Sequence, residues 1–288
     1  MGGNRKPPIL LRLWSIRAAK LRDNLRFGAY EDILLFTPSI LANAAYIALT
    51  DFTLTVDHAT YAFAKRMYRF LANKIYKIYP PYGYIIAEKD NPMDEEVRER
   101  LKDIQNSYIL GFTNLSKKGS YLKFEAKPHA IALYKIAKRL GDMPVIVAGS
   151  TVEDWKRVFP HIEPPRNLHF IGREFSDNIL GILYCKAKLV VVPITNRSIS
   201  NRLLESLFFK RPAITSEVAK LIHPELKHEK HLFISSWDRI VNDTIRLVKK
   251  EDLLKNLVEG AEEAYSKLFS TKVNALFVKN ILHSGSWR

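Results

Sequence analysis

The sequence predicts an α/β protein with parallel sheets, and three observations predict it. Short apolar runs alternate with segments of helical periodicity; residues 189–192 form an unbroken apolar run closed by Pro193, as in strands covered on both faces; and a polar loop after that run opens onto a helix. In a first unit, residues 1–88, strands are expected at 9–14, 32–37, 52–56 and 75–79, with helical segments between them. Pro80, Pro81 and Gly83 punctuate this unit, and a charged stretch at 89–100 suits a linker, residues 89–106, whose helix leads onward. The second unit, residues 107–288, starts with a strand at Tyr108. It continues as helix 124–139, strand 144–148, helix 152–159, strand 168–171, helix 177–187 and strand 189–192. After the loop 194–200, Leu203, Leu204, Leu207 and Phe208 recur at helical spacing and place Glu205 on the opposite side of that helix. Strands at 212–215 and 232–234 follow, then helices to the end, and the segment 273–282 is expected to cross back to the first unit.

Composition bounds the function. With 288 residues, 47% of them hydrophobic, the chain has ample material for real cores. Its one cysteine, Cys185, leaves no disulfide framework and no cysteine cluster for zinc, fits a reducing cytoplasm, and reads as a small core residue in an apolar helix. A single glutamine, Gln105, beside 45 Lys plus Arg and 30 Asp plus Glu, matches the balance of proteins from hot environments. No apolar run reaches the roughly 20 residues that span a bilayer, and the N-terminal apolar stretch, broken by Arg12 and Arg17, does not read as a signal peptide.

The formal net charge of +15 attracts phosphates of any origin. Between Arg5 and Phe27, Arg5, Lys6, Arg12, Arg17, Lys20, Arg22 and Arg26 face one acid, Asp23, while Leu10, Trp14, Leu21 and Leu25 share a helical face. That is the composition of an interfacial helix on anionic lipid; a strand and helix packed on their own domain is the plainer reading. A second basic, aromatic helix is expected at 61–70.

The strand 189–192, the polar loop and the following helix N-terminus form the junction at which an open α/β sheet receives a nucleotide, with free N–H groups turned to an anion such as a diphosphate. The residues 184–216 resemble the donor-binding region of retaining GT-B glycosyltransferases of family 4. Glu205 matches the second glutamate of the family's paired-glutamate motif, and Lys210, Arg211, Pro212 and Ala213 match its ending; the first glutamate falls on Arg197. Residues 108–119 resemble the family's strand and lysine–glycine loop, with Phe112 where an arginine is usual, and 144–150 and 169–172 resemble the next two strands. The likeness runs from Asn106 to the C-terminus.

This resemblance implies a GT-B-like architecture of two Rossmann-like parallel-sheet domains, the N-terminal one abbreviated. It implies transfer of a hexose from a nucleoside diphosphate sugar, with retention of configuration and without a metal or other cofactor. The Glu205 carboxylate would accept the ribose hydroxyls, and the backbone N–H groups of Ser198, Ile199 and Ser200 would bind phosphate. Lys118 would reach the diphosphate, with Lys117 as its substitute because this loop is one residue longer. Arg197 would pair with phosphate at the rim, Arg173 would lie beside the base, and His58, oriented by Asp57 or Thr60, would lie near the transferred sugar. Each has a plainer alternative: an exposed Arg202–Glu205 pair three residues apart, serine helix caps, solvated loop cations, the surface start of a helix at Arg173, a structural histidine at His58. The expected partners are a nucleotide sugar and an anionic membrane surface or lipid-linked acceptor, on the cytoplasmic face of the cell membrane. A second protein chain would complete the site if this chain is a non-catalytic subunit. Binding to nucleic acid is the other rival; basic charge supports it, and no nucleic-acid module does.

Overall fold

The computed structural model describes residues 36–79, 92–102, 104, 107–117, 122–172, 176–194 and 200–283. The basic segment 5–27 and the expected strand 9–14 lie outside them, as do Lys118, Arg173, Arg197, Ser198 and Ile199. The described residues divide into two units, one holding 36–55 and 60–77, the other 56–59 and 78–283.

The first unit contains helix α1 (Phe36–Leu49), strand β1 (Thr53–Thr55), helix α2 (His58–Met67), a 3-10 turn (Arg69–Lys74) and strand β2 (Ile75–Lys77). Part of the strand expected at 32–37 is corrected: Phe36 and Thr37 open α1. Pro38 stands in the first helical turn, where its missing N–H would have had no intrahelical partner. The strands β1 and β2 are parallel, with Thr53 opposite Ile75 and Thr55 opposite Lys77. Ile47, Ala64, Tyr68 and Ile75 form the core of this unit. Lys74 Nζ donates to the carbonyls of Ala48 (2.9 Å) and Thr50 (2.8 Å), setting a cation at the negative end of α1. The basic, aromatic helix expected at 61–70 ends at Met67; Arg69 and Phe70 lie in the 3-10 turn.

The second unit opens with α3 (Pro92–Lys102) and strand β3 (Tyr108–Phe112). A π-helical turn (Leu122–Ala126) leads into α4 (Lys127–Leu140), and β4 (Val145–Ala148), α5 (Val152–Val158), β5 (Leu168–Phe170) and α6 (Asp177–Lys186) follow. Then come β6 (Ala187–Val192), α7 (Asn201–Phe208), β7 (Ala213–Ser216), α8 (Ala219–Ile222) and β8 (Phe233–Ser235). The chain closes with α9 (Ile240–Leu247), α10 (Glu251–Ala264), a π-helical turn (Tyr265–Phe269) and α11 (Thr271–His283). The strands form one parallel six-stranded sheet in the order β5-β4-β3-β6-β7-β8.

Strand side chains alternate between two cores. Ile109, Val145, Val147, Leu189 and Val191 face α4 and α9, whereas Leu110, Ile146, Val190 and Val192 face residues of α6, α7 and α8. Burial on both faces leaves no polar phase in these strands, which is why they read as unbroken apolar runs. Cys185 corrects the sequence reading. It lies in α6, but on an exposed face, because the buried face of that helix is taken by Ile179, Leu180, Leu183 and Tyr184. No helix among the described residues is long and apolar enough to cross a membrane.

Candidate active site

Strand order reverses between β3 and β6, so the loops after these neighbours diverge and leave a crevice at their carboxyl ends. A cavity of about 460 Å³ lies there. Phe112 to Asn114 and Lys117 line it from the β3 side, Val191 to Pro193 from β6, and Ala148 and Gly149 from β4. Glu125, Ala126 and His129 contribute from the start of α4, Ser176, Asp177 and Leu180 from α6, and Ser200 and Arg202 from α7.

Two buried serines fix the loops that shape this cavity. Ser150 Oγ accepts from the Leu115 N–H (3.0 Å) and donates to the Thr113 carbonyl (2.7 Å), holding the loop after β3. Ser216, at the end of β7, accepts from the Ile194 N–H (3.1 Å) and donates to the Ile194 carbonyl, holding the chain just beyond β6 at that residue. Gly149 has φ +95°, and a Cβ there would lie 2.7 Å from the Thr113 carbonyl oxygen, so both the conformation and the close approach require glycine.

Two helix N-termini open on the cavity. Ser176 caps α6 and Ser200 caps α7, each accepting a long hydrogen bond of 3.4 Å from the N–H three residues on. The α6 terminus has Asp177 in its first turn, whereas the first turn of α7 carries no acid. An incoming anion therefore meets less repulsion at α7.

Arg202 is the site residue that sequence reasoning passed over. Its Nη1 lies 2.6 Å from Glu205 Oε2, which also accepts from the Tyr184 hydroxyl at 2.7 Å. The guanidinium carbon lies 4.5 Å from the centre of the Phe112 ring, itself stacked on Tyr184 at 5.5 Å. Burial works to lower the Arg202 pKa, but the Glu205 carboxylate and the Tyr184 hydroxyl outweigh it and raise the value, so the group stays cationic. The only sequence signal was its i, i+3 spacing to Glu205.

Glu205 is placed differently from its sequence reading. It is 5% exposed and buried together with Leu203, Leu204 and Leu207, because α7 packs against β6 and β7 and also against α10. The ion pair with Arg202 is present, but with a buried carboxylate, and Glu205 is not among the cavity-lining residues. Ser200 and Lys117 line the cavity; His58, the first residue of α2 and half-buried, does not. Sequence reasoning also missed His129, 8% exposed, whose Nε2 has no hydrogen-bond partner. Burial lowers its pKa to about 4, against the opposing pull of the Val191 and Phe112 carbonyls, so the ring is neutral near pH 7. Among the described residues, no group of three or more His, Cys, Asp or Glu is placed to hold a metal ion.

Comparison with known proteins agrees with this geometry. Residues 119–250 match the family model described as glycosyl transferases group 1. No curated protein matches the sequence. Among solved structures, the sucrose-phosphate synthase of Thermosynechococcus elongatus superposes with a TM-score of 0.60 at 13% identity, over 85% of this chain and 61% of that one. HepE of Anabaena, crystallised with UDP, gives 0.57 at 12%, over 81% and 64%. A glycosyltransferase of Rickettsia africae gives 0.56 at 15%, again over 81% and 64%. The chain thus spans less than two thirds of the length of these three structures. Fold and sequence together show a GT-B-type α/β fold in which residues 119–250 are similar to the glycosyl transferases group 1.

Proposed function

We propose that the chain binds a nucleoside diphosphate sugar in the cavity between the ends of β3 and β6 and transfers its hexose to an acceptor. In this reading the transfer retains configuration, needs no metal ion and takes place at an anionic membrane surface. The observation that carries the proposal is the position of the cavity. It lies at the strand-order reversal of a sheet whose residues from 119 to 250 match the group 1 glycosyl transferase model, beside the acid-free N-terminus of α7 and the cations Lys117 and Arg202. As the glycosidic bond breaks, the sugar becomes cation-like and negative charge builds on the leaving diphosphate. Fixed cations and helix N–H groups favour that state over the ground state. The reading keeps Lys118, Arg197 and the backbone of Ser198 and Ile199 on the diphosphate, Arg173 beside the base, and His58 near the transferred sugar.

HepE has been crystallised with UDP and with UDP-glucose, which makes a uridine nucleotide the first ligand to try. A thermal-shift screen of UDP, GDP and ADP and their hexose conjugates tests the proposal. One base series is expected to raise the melting temperature in a concentration-dependent way, since a ligand of the folded state stabilises it by mass action. No shift with any of them would reject nucleotide-sugar binding.

A further inference from the structure

We infer that the amino-terminal end of the six-stranded sheet carries a second anion site, in which Lys186, Lys188 and Arg211 receive a phosphoryl group. An open cavity of about 450 Å³ lies there. Ser107 and Arg211 enter it from just before β3 and β7, Cys185, Lys186 and Lys188 from the junction of α6 and β6, and Glu251 from the start of α10. The donor cavity lies at the carboxyl ends of the same strands. Because β6 is 6 residues long, the two sites are separated by roughly 20 Å of strand.

Three cations face one carboxylate in this second cavity. Lys188 is paired with Glu251, whereas neither Lys186 nor Arg211 has an ion pair or a side-chain hydrogen bond among the described residues. Arg211 is half-buried, and its Nε is buried without an acceptor. A guanidinium spreads its charge over three nitrogens, so an anion that meets the terminal ones offsets the desolvation of the whole group.

The local backbone brings these cations to the cavity. In the β3–β6 pairing Tyr108 stands opposite Ala187 but Ile109 opposite Leu189, so Lys188 is the extra residue of a bulge, a device that re-aims a side chain. Arg211 follows the end of α7, where the N–H groups of Lys210 and Arg211 donate to the carbonyls of Leu207 (3.1 Å) and Ser206 (2.8 Å). That ending places its penultimate residue in the left-handed region, and Lys210 adopts it with φ +53°. It fixes the backbone from which Arg211 reaches the cavity.

A phosphoryl dianion suits this set of donors. Arginine offers a planar fork, the two lysines add point charges, and the exposed Ser107 hydroxyl adds a neutral donor. Glu251 opposes an anion weakly: its side chain is 74% exposed, and an ion pair so exposed to water is readily exchanged. Free phosphate and the headgroup of phosphatidic acid present the same chemistry, and the test separates them.

Cys185 reports on occupancy, because it is exposed, lines this cavity and is the only cysteine of the chain. The rate of its labelling by a neutral maleimide is measured on the full chain at fixed pH, with chloride holding the ionic strength constant. Inorganic phosphate at about ten times its dissociation constant should slow labelling about tenfold, as an occupied site shields the thiol. Arg211→Gln and Lys186→Gln, each checked for folding by thermal melting, should label at a rate that phosphate no longer changes. The exposed Lys186 position keeps the test valid if the half-buried Arg211 variant fails to fold. Protection by inorganic phosphate assigns the site to a soluble phosphate. Protection only by phosphatidic acid vesicles, lost in the variants and not given by phosphatidylcholine, assigns it to a lipid headgroup. Protection by neither, equal protection by chloride, or protection that persists in the folded variants overturns the site.

Discussion

Arg202, Glu205 and His129 show how a cavity gains chemistry from residues far apart in sequence. Truncating Glu205 to Ala would leave the Tyr184 hydroxyl and the Arg202 guanidinium without their common acceptor. A loss of about 1–3 kcal/mol in stability is expected, measurable by denaturant titration, since hydrogen bonds to a charged group contribute that much; the Tyr184 hydroxyl keeps the Arg202 carbonyl, at 3.2 Å, as an acceptor. His129 predicts a pH dependence. Its folded pKa is depressed to about 4, so as the pH falls from about 6.5 toward 4 the unfolded ring takes up a proton that the folded ring refuses. Stability should therefore fall with acid across that window, by roughly 3 kcal/mol at about 1.4 kcal/mol per pH unit. Chemical denaturation at pH 7, 5.5 and 4.5 should show a shallower decline for His129→Gln; identical slopes would mean that another group dominates. Neither role was legible in the sequence. An i, i+3 spacing revealed that Arg202 and Glu205 would pair, but not that the carboxylate would be buried against the Tyr184 hydroxyl, nor that Phe112 would lie under the guanidinium.

At the scale of elements, the loops after β3 and β6 matter most. Gly149→Ala should destabilise the protein by about 1 kcal/mol or more, because an alanine is strained at φ +95° and its Cβ would press on the Thr113 carbonyl. Its nucleotide affinity should fall as well, since Thr113 and Asn114 line the cavity. Unchanged stability, read by thermal melting, would show that the loop yields freely. The strands of the second unit were legible because a doubly buried strand admits only apolar residues, as in 189–192. The ends of helices were less so: α2 stops at Met67 because the chain tightens into a 3-10 turn that the pattern of aromatic and basic residues does not encode. The exposed face of Cys185 was hidden because one turn of helix decides between core and surface, and the apolar neighbours pointed to the core.

For the whole molecule, the charge of +15 and the basic start of the chain lead to a prediction about lipid. Sedimentation with liposomes should show binding to anionic vesicles that fades as rising salt screens the charges, with little binding to neutral ones. Equal binding to both, or to neither, would leave the charge without a lipid partner. The sheet order carries a different consequence, in the kinetics of folding. Strands β5, β4 and β3 come from one stretch of chain and β6, β7 and β8 from another, and the β3–β6 pairing that joins them closes a long loop. Such pairing is slow, because loop-closure entropy is lost before the contacts form. The cavity does not exist in either half alone; it comes into being when that seam closes. A nucleotide binding there would report the completion of the central seam, and a refolding chain should acquire ligand affinity after most of its helix has already formed.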